Sequence, residues 1–536
     1  MLHIKNPNQL NILDPWEFLT PKRREMLDNG WPSLFREHIL PTIPVSKVAK
    51  YFNETFGRPT KELYAVLGAL ILQQSFDLTD EESVQQYAFN IQWHYALNIT
   101  EESDSAKFIS LKTLWTNRSI VTQNNLEDDI FQAGTQKLAR VFKVNLDQQR
   151  IDSVHIKSNM RRLGRIGIFS EGIHKFLKNL KRHHGSWFAA VDEKIIDRYL
   201  TQNALSCFSK VKPSEARKRL ARVSKDLFEL VEQFKSIPEV AEMYSFKLLE
   251  RILNEQCNLT EDKDNPVEIK KPKEISSSSL QNPSDPDATY SGHKGQGYQV
   301  QVMETFCKEK EDKEKSLNLI THVDVEPAHC SDANALIPAI ESTGEQNLKP
   351  EQLTADALYG SDENCEQAKG HGVKLIAPAM GSCKEDKPSL SNFQISESGQ
   401  ILTCPQGHAP AKVKKGKRSS VGFDSQHCQC CPELSSCPVK KAKKFYYLRF
   451  SEKEMRLAQR RAYEQTDDFK DHYRWRAGIE ATMSEYDRRT GVKHLRVRGL
   501  RAVRYCAKLK ALGVNIFRAA AFRAAVSVQK YVPCMT

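Results

Sequence analysis

No run of about 18 apolar residues occurs in the 536-residue chain, so no membrane-spanning helix is expected. The opening stretch MLHIKNPNQLNILDPWEF lacks a basic segment followed by an apolar one, which argues against a signal peptide. The Gly-rich GHKGQG at 292–297 has no Lys-Ser/Thr, so it is expected to be a loop entering a strand and not a phosphate-binding loop. Thirteen cysteines are scattered without the rhythm of a disulfide scaffold, and with no export signal they point to a reducing cytoplasm. The most telling absence is of negative charge. From Arg488 to Thr536 there is no Asp or Glu against twelve Lys and Arg. The whole chain has 79 Lys and Arg against 67 Asp and Glu, a net +12, so this tail carries the entire excess. So one-sided a run predicts a polyanionic partner, nucleic acid above all. The plainer alternative is a solvated helix face.

Hydrophobic residues make up 40% and charged residues 27% of the chain, the balance of a globular protein, and the length suggests three or four units. Residues 1–44, with Pro15, Pro21 and Pro32, form a leader. Residues 45–144 carry apolar positions at three- and four-residue spacing, and Asp80-Glu81-Glu82-Ser83 has the composition of a helix start. They predict an all-helical domain. Ile151, Val154 and Ile156 predict a strand. Residues 161–284 hold long helical patterns and then a Ser/Pro/Gly-rich linker, expected to be irregular and exposed. GYQVQVMETF, LNLITHVDVEPA, LTADALYG and VKLIAPAM predict strands, and SDANALIPAIESTGE and SDENCEQAKGHG predict helices. From Glu452 to Ala525 the pattern is helical. The expected fold is α/β, with a mixed-sheet core built from 145–160, 285–382 and 446–525. A helical insert and a Cys-rich insert, 383–445, interrupt it.

Three carboxylates stand in suggestive places: Asp152 in the first core strand, Asp356 in a later one, and Glu480 in a late helix. Carboxylates brought close together repel, and their ionised form calls for a cation. Two Mg²⁺ ions about 3.5–4 Å apart would use such a set in phosphoryl transfer. Spacing alone does not single them out, since an exposed acid is the ordinary reading of each. His155 lies at an odd offset from Asp152, on the opposite strand face, and reads as a plain strand histidine. Cys404, Cys428, Cys431 and Cys437 form a C-x23-C-x2-C-x5-C frame suited to a four-thiolate Zn²⁺ site, with His408 or His427 as substitutes; free thiols in an irregular insert are the other reading.

QRIDSVHIKSNMRRLGR at 149–165, LTADALYGSDEN at 353–364 and RAGIEATMSEYDRRTGVKHLRVRGLRAV at 476–503 resemble, in that order, three signature segments of DDE insertion-sequence transposases. The group is the cut-and-paste type with a Tyr-x2-Arg-x3-Glu-x6-Lys signature. Tyr473, Arg476 and Glu480 stand at that spacing, which on one helix would place them on a common face. The Lys position falls on Asp487, with Arg488 and Arg489 next to it. The Cys-rich stretch is similar to an insert of the same family, whereas SLKTLWTNRS at 110–119 lacks the family's usual Phe-Arg pair. The resemblance implies an RNase H-like core with Asp152, Asp356 and Glu480 as catalytic Mg²⁺ (or Mn²⁺) ligands. It also implies DNA partners (terminal inverted repeats and target DNA), a homodimer in the active complex, no membrane, and a cytoplasmic, nucleoid-associated location. Residues 45–144 are then the candidate DNA-binding domain. Tyr473, Arg476, Arg488, Arg489, Lys493, Arg496, Arg498, Arg161, Arg162 and Arg165 are the candidate DNA contacts. The implied reaction is cleavage at element ends and joining of the 3′ ends to target. Rival readings are another RNase H-like DNA nuclease and a catalytically inactive DNA-binding relic.

Overall fold

Residues Gln148–Lys157 form a ten-residue strand, β1, whose alternating side chains serve two different cores. A computed structural model describes residues 1–9, 14–201, 212–262, 265–308, 316–381, 389–396, 398–416 and 418–531. The start of the Cys-rich stretch, 383–388, lies outside them. The remaining strands of the main sheet are β2 (Thr289–Ser291), β3 (Gly295–Thr305), β4 (Ile320–Pro327), β5 (Gln352–Thr354) and β6 (Lys374–Ile376). Across the sheet the order is β4-β3-β1-β5-β6, with β2 beside the start of β3. β1 pairs antiparallel with β3, Asp152 opposite Val302, and β4 runs antiparallel to β3. β5 runs parallel to β1, Arg150 opposite Thr354, and β6 runs parallel to β5. Gly297 sits at φ +150, and a Cβ there would lie 2.1 Å from the Ile156 carbonyl oxygen, so only glycine allows β3 to close on β1.

One face of the sheet, with Val154, Ile156, Val300, Val302 and Val323, is buried together with the N-terminal helices. These include α1 (Leu63–Ser75) and α2 (Leu126–Val141). Ile479, Met483 and Tyr486 of α5 (Gly478–Thr490) join this core, as do Leu509, Leu512 and Ile516 of α6 (Leu500–Tyr531). The other face, with Ile151, Met303 and Leu353, packs under α3 (Leu336–Glu345) and α4 (Asp362–Gly370). Each large apolar side chain fully buried this way contributes about 1.5–3 kcal/mol. Asn515 of α6 is fully buried and ties the helix to the edge strand β4: it accepts from Ile320 N at 2.8 Å and donates to Ile320 O at 2.8 Å. That contact covers backbone groups an edge strand would leave open.

The helical insert has its own core. Phe169, Phe176, Leu227, Phe234, Phe246 and Leu249 pack helices Arg165–His183, Ala216–Phe234 and Tyr244–Gln256 together. The linker is exposed at 271–274, as expected, but its end packs inward, with Ser279, Leu280 and Asn282 buried ahead of the core segment. Asp285 is buried and accepts from Tyr298 Oη at 2.5 Å, Gly499 N at 2.9 Å and Ser158 Oγ, so three donors from distant segments hold it inward. LTADALYG is also shorter as a strand than expected. β5 stops at Thr354, because the Asp356 carboxylate accepts from Leu358 N at 2.8 Å and turns the chain. The helix expected through Tyr473, Arg476 and Glu480 is broken: Asp467–Tyr473 passes into a 3₁₀ turn, Arg474–Ala477, before α5. The three residues therefore do not share one helix face.

The seam between α1 and α6 is tight. A Cβ on Gly513 would lie 2.7 Å from Ser75 Cβ and 2.8 Å from Ser75 Cα. Gly513→Ala should lower stability by about 1–3 kcal/mol, whereas Gly185→Ala, which meets open space, should not. Thermal melts of the two variants test this, and equal midpoints would refute it.

Candidate active site

Asp152 points from β1 into the edge of the shared core, its side chain 17% exposed. Its Oδ1 accepts from Ser153 N at 2.8 Å and its Oδ2 from Arg476 Nη2 at 2.8 Å. Burial raises its carboxyl above the usual range. The Ser153 amide and Arg476 oppose that rise, and nearby Asp356 and Asp332 add to it. Asp356 stands just past β5, the parallel neighbour of β1, and is half-buried. The topology thus brings Asp356, past the end of β5, near Asp152 in the middle of β1, just beyond the stretch where the two strands pair. Tyr473 borders the same ground: its half-buried phenol is pushed up by burial, lowered by Arg476 and raised by Asp356 and Asp152. Its ring stacks on Phe469 at 5.3 Å. Glu480 lies in the first turn of α5, exposed, on the helix packed beside β1. Among the described residues no three His, Cys, Asp or Glu side chains form a group arranged to hold a metal ion. The structure pairs Asp152 with Asp356 but does not draw Glu480 in with them.

What holds α5 against β1 is a buried carboxylate. Glu304 on β3 accepts from Arg150 Nε at 2.8 Å, Thr482 Oγ1 at 2.6 Å and Arg518 Nη1 at 3.1 Å. Arg150 also donates to Trp475 O at 2.7 Å, at the 3₁₀ turn that carries Arg476. Its guanidinium lies over Gly478, where a Cβ would come within 2.0 Å of Nη1, so the close approach requires glycine. Removing one partner of such a buried charge cluster costs about 3–5 kcal/mol.

Three residues near the site carried no sequence signal beyond their type. Asp332 is buried in the turn before α3, where it accepts from Gln301 Nε2 at 2.9 Å. Gln301 in turn accepts from Tyr359 Oη at 2.5 Å, which fixes the loop after Asp356 to β3. Lys294, in the β2–β3 turn, donates to Ser153 Oγ at 2.9 Å and faces Asp332 at 3.8 Å. His155 is half-buried on the same strand as Asp152, and burial lowers its imidazole pKa.

The candidate DNA contacts fall into two sets. Arg161, Arg162 and Arg488 are exposed. The others make contacts within the chain, Arg489, Arg496 and Arg498 while exposed as well. Arg165 donates to Gln256 Oε1 at 3.0 Å and Lys270 O at 2.8 Å, inside the helical insert. Arg489 pairs with Glu485 at 2.8 Å, Arg496 with Asp77 at 2.8 Å, and Lys493 with Asp487 at 4.0 Å, while Arg498 donates to Asn159 O at 2.6 Å. Asp487, at the family's Lys position, accepts from Lys493 N at 3.0 Å and shapes the turn after α5. Part of the basic tail is engaged inside the protein, although Arg488, Arg489, Arg496, Arg498 and Arg501 are exposed. Lys510 is buried against Asp77 at 2.8 Å, Arg518 meets Glu485 at 2.8 Å, and Lys508, pushed down to about 8 by burial, pairs with Asp128.

Two family models match separate stretches of the chain: residues 403–520 match one described as a transposase DDE domain, and residues 24–119 one described as a transposase domain, DUF772. No curated protein matches the chain. Together the two matches support an insertion-sequence transposase of the DDE type, and the DDE domain implies an enzyme that processes nucleic acid. Glu480 lies inside the first match; Asp152 and Asp356 lie outside both. No helix among the described residues is long and apolar enough to cross a membrane.

A carboxyl whose folded pKa lies above its unfolded value stabilises below the unfolded value and loses that contribution as pH rises through the folded one. Burial places Asp152 in that class. In chelator-treated protein, Asp152→Asn should therefore be more stable than wild type at neutral pH, the two converging as pH falls towards about 4. Thermal melts across pH measure this; a deficit at neutral pH would refute it.

Proposed function

We propose that the chain is a cut-and-paste transposase that hydrolyses DNA at the ends of its element and joins the released 3′ ends to target DNA. One observation carries the reading: Asp356, just past the end of β5, lies near Asp152 in the middle of the neighbouring strand β1, with Arg476 on Asp152, in a chain with matches to two transposase models. The strand order β4-β3-β1-β5-β6, antiparallel on one side of β1 and parallel on the other, supports an RNase H-like core interrupted by the helical and Cys-rich inserts.

The donor set fits a hard divalent cation. Asp152 and Asp356 present carboxylate oxygens, and their mutual repulsion and the burial of Asp152 are what a cation relieves. Asp152 and Asp356, with Glu480 from α5, would hold Mg²⁺, or Mn²⁺ in its place. When bound, the ion activates water and neutralises the leaving oxygen. Both steps are in-line displacements at phosphorus: water breaks the bond at the element end and leaves a 3′-OH, and that 3′-OH then displaces a target 3′-oxygen. The chain's own groups position the DNA. Arg476, now on Asp152, is placed to bind the scissile phosphate, and Tyr473 flanks it. Arg161, Arg162 and Arg488 face solvent and suit phosphate contacts, which set affinity and salt dependence. Arg489, Lys493, Arg496 and Arg498 reach DNA by exchanging their internal partners. Arg165 holds the insert together. The N-terminal helices are the reader of the terminal repeats, and two copies of the chain act together on the two ends, in the nucleoid of the cytoplasm.

Asp152→Asn, Asp356→Asn and Glu480→Gln should each cut repeat-ended DNA at least about 100-fold more slowly while still binding it. Wild-type cleavage in any one variant removes that residue from the site. A wild-type protein that binds such DNA and never cuts it points to a DNA-binding relic.

A further inference from the structure

We propose that the small β-domain preceding the catalytic helices is a zinc module, with Cys404, Cys428, Cys431 and Cys437 as the four thiolate ligands of one structural Zn²⁺. The four cysteines come from three separate turns, yet all line one cavity of about 30 Å³. That is room for about one water or one ion, not for an organic ligand. Cys430, between two of them in sequence, is exposed and does not line it.

The backbone around the thiols is shaped for ligation. Gly407 N donates to Cys404 O at 2.9 Å and Cys404 N to His408 O at 2.9 Å, with Gly407 at φ +83. Cys404 thus stands at the base of this tight turn, with Pro405 and Gln406 at its tip. Cys431 N donates to Cys428 O at 3.2 Å, a second turn that sets those two thiols on one side. The Val439 amide donates to Cys437. Cys428 stands within interaction range of Cys437, Cys404 and Cys431. His408 and His427 stack face to face at 4.3 Å, which engages the two rings with one another at the cavity rim.

The module also needs such a staple. Among the described residues, its sheet, with the long pair Ser419–Asp424 and Phe445–Phe450, rests on a small apolar cluster that includes Phe393, Val421, Phe423, Leu448 and Phe450. A core of that size is marginal without a metal or disulfides. No closed ligand group is present among the described residues, so binding must draw the four thiols in from the cavity wall. Each coordinating thiol gives up its proton on binding.

The test uses the full-length protein purified without chelator. Metal analysis should give about one zinc per chain, falling below about a tenth in Cys428→Ser and Cys431→Ser and unchanged in Cys430→Ser. Cobalt substituted into wild type should show thiolate-to-cobalt charge transfer with tetrahedral d–d bands, a readout that needs no variant and that a carboxylate site cannot produce. Zinc-free wild type with a folded β-domain overturns the proposal, as do disulfides among the four cysteines. Zinc retained in the Cys428 and Cys431 variants but lost in His408→Ala overturns the ligand assignment.

Discussion

Glu304 is a carboxylate with almost no access to water, and its charge decides how the late helices sit on the sheet. Arg150 reaches it from β1, Thr482 from α5 and Arg518 from α6. Each donor belongs to a different segment, so satisfying one buried charge fixes three elements at once. The gain over an apolar replacement is small in free energy, because desolvating these groups offsets most of their attraction. What the cluster supplies is registry. Arg150 lies two residues before Asp152 on the same strand, and its second contact, at Trp475 O, lies one residue before Arg476. The Asp152–Arg476 pair is therefore set by the same clamp that seats α5.

The charge distribution acquires a different meaning once partners are known. The tail's excess of Lys and Arg is met by acids from the N-terminal helices, such as Asp77 and Asp128, and by Glu304 and Glu485. Much of the net positive charge is thus internal glue between α6 and the rest. The positive surface left for a polyanion is narrower than composition suggests, and Arg161, Arg162 and Arg488 belong to it.

Local patterns were legible in the sequence wherever local physics set them. Ile151, Val154 and Ile156 mark β1, and the helix at Asp80 starts with Thr79 and Glu82 in a reciprocal cap. What was not legible depends on partners far along the chain. The linker reads as solvated until Asp285 finds Tyr298, Ser158 and Gly499. Lys510 reads as surface until Asp77 meets it across 433 residues. The 3₁₀ turn at Arg474–Ala477 follows a clamp whose members are scattered over the whole chain. Asp332 looked like any acid before a helix, and only the fold puts it behind Asp152. At the candidate site, sequence resemblance named Asp152, Asp356 and Glu480, but not the Arg476 pairing, which spans 324 residues.

The helix Leu500–Tyr531 follows every other described element in chain order, yet it lies in the middle of the main core, between the N-terminal helices and the sheet. A ribosome-bound chain lacking it would hold the N-terminal helices, the insert and the sheet strands without the surface that unites them. The insert can fold early on its own core. The main core cannot, because Asn515 and Arg518 lie on a helix that follows all the elements they tie together. Ordering of the site therefore depends on contacts made after the sheet strands in chain order.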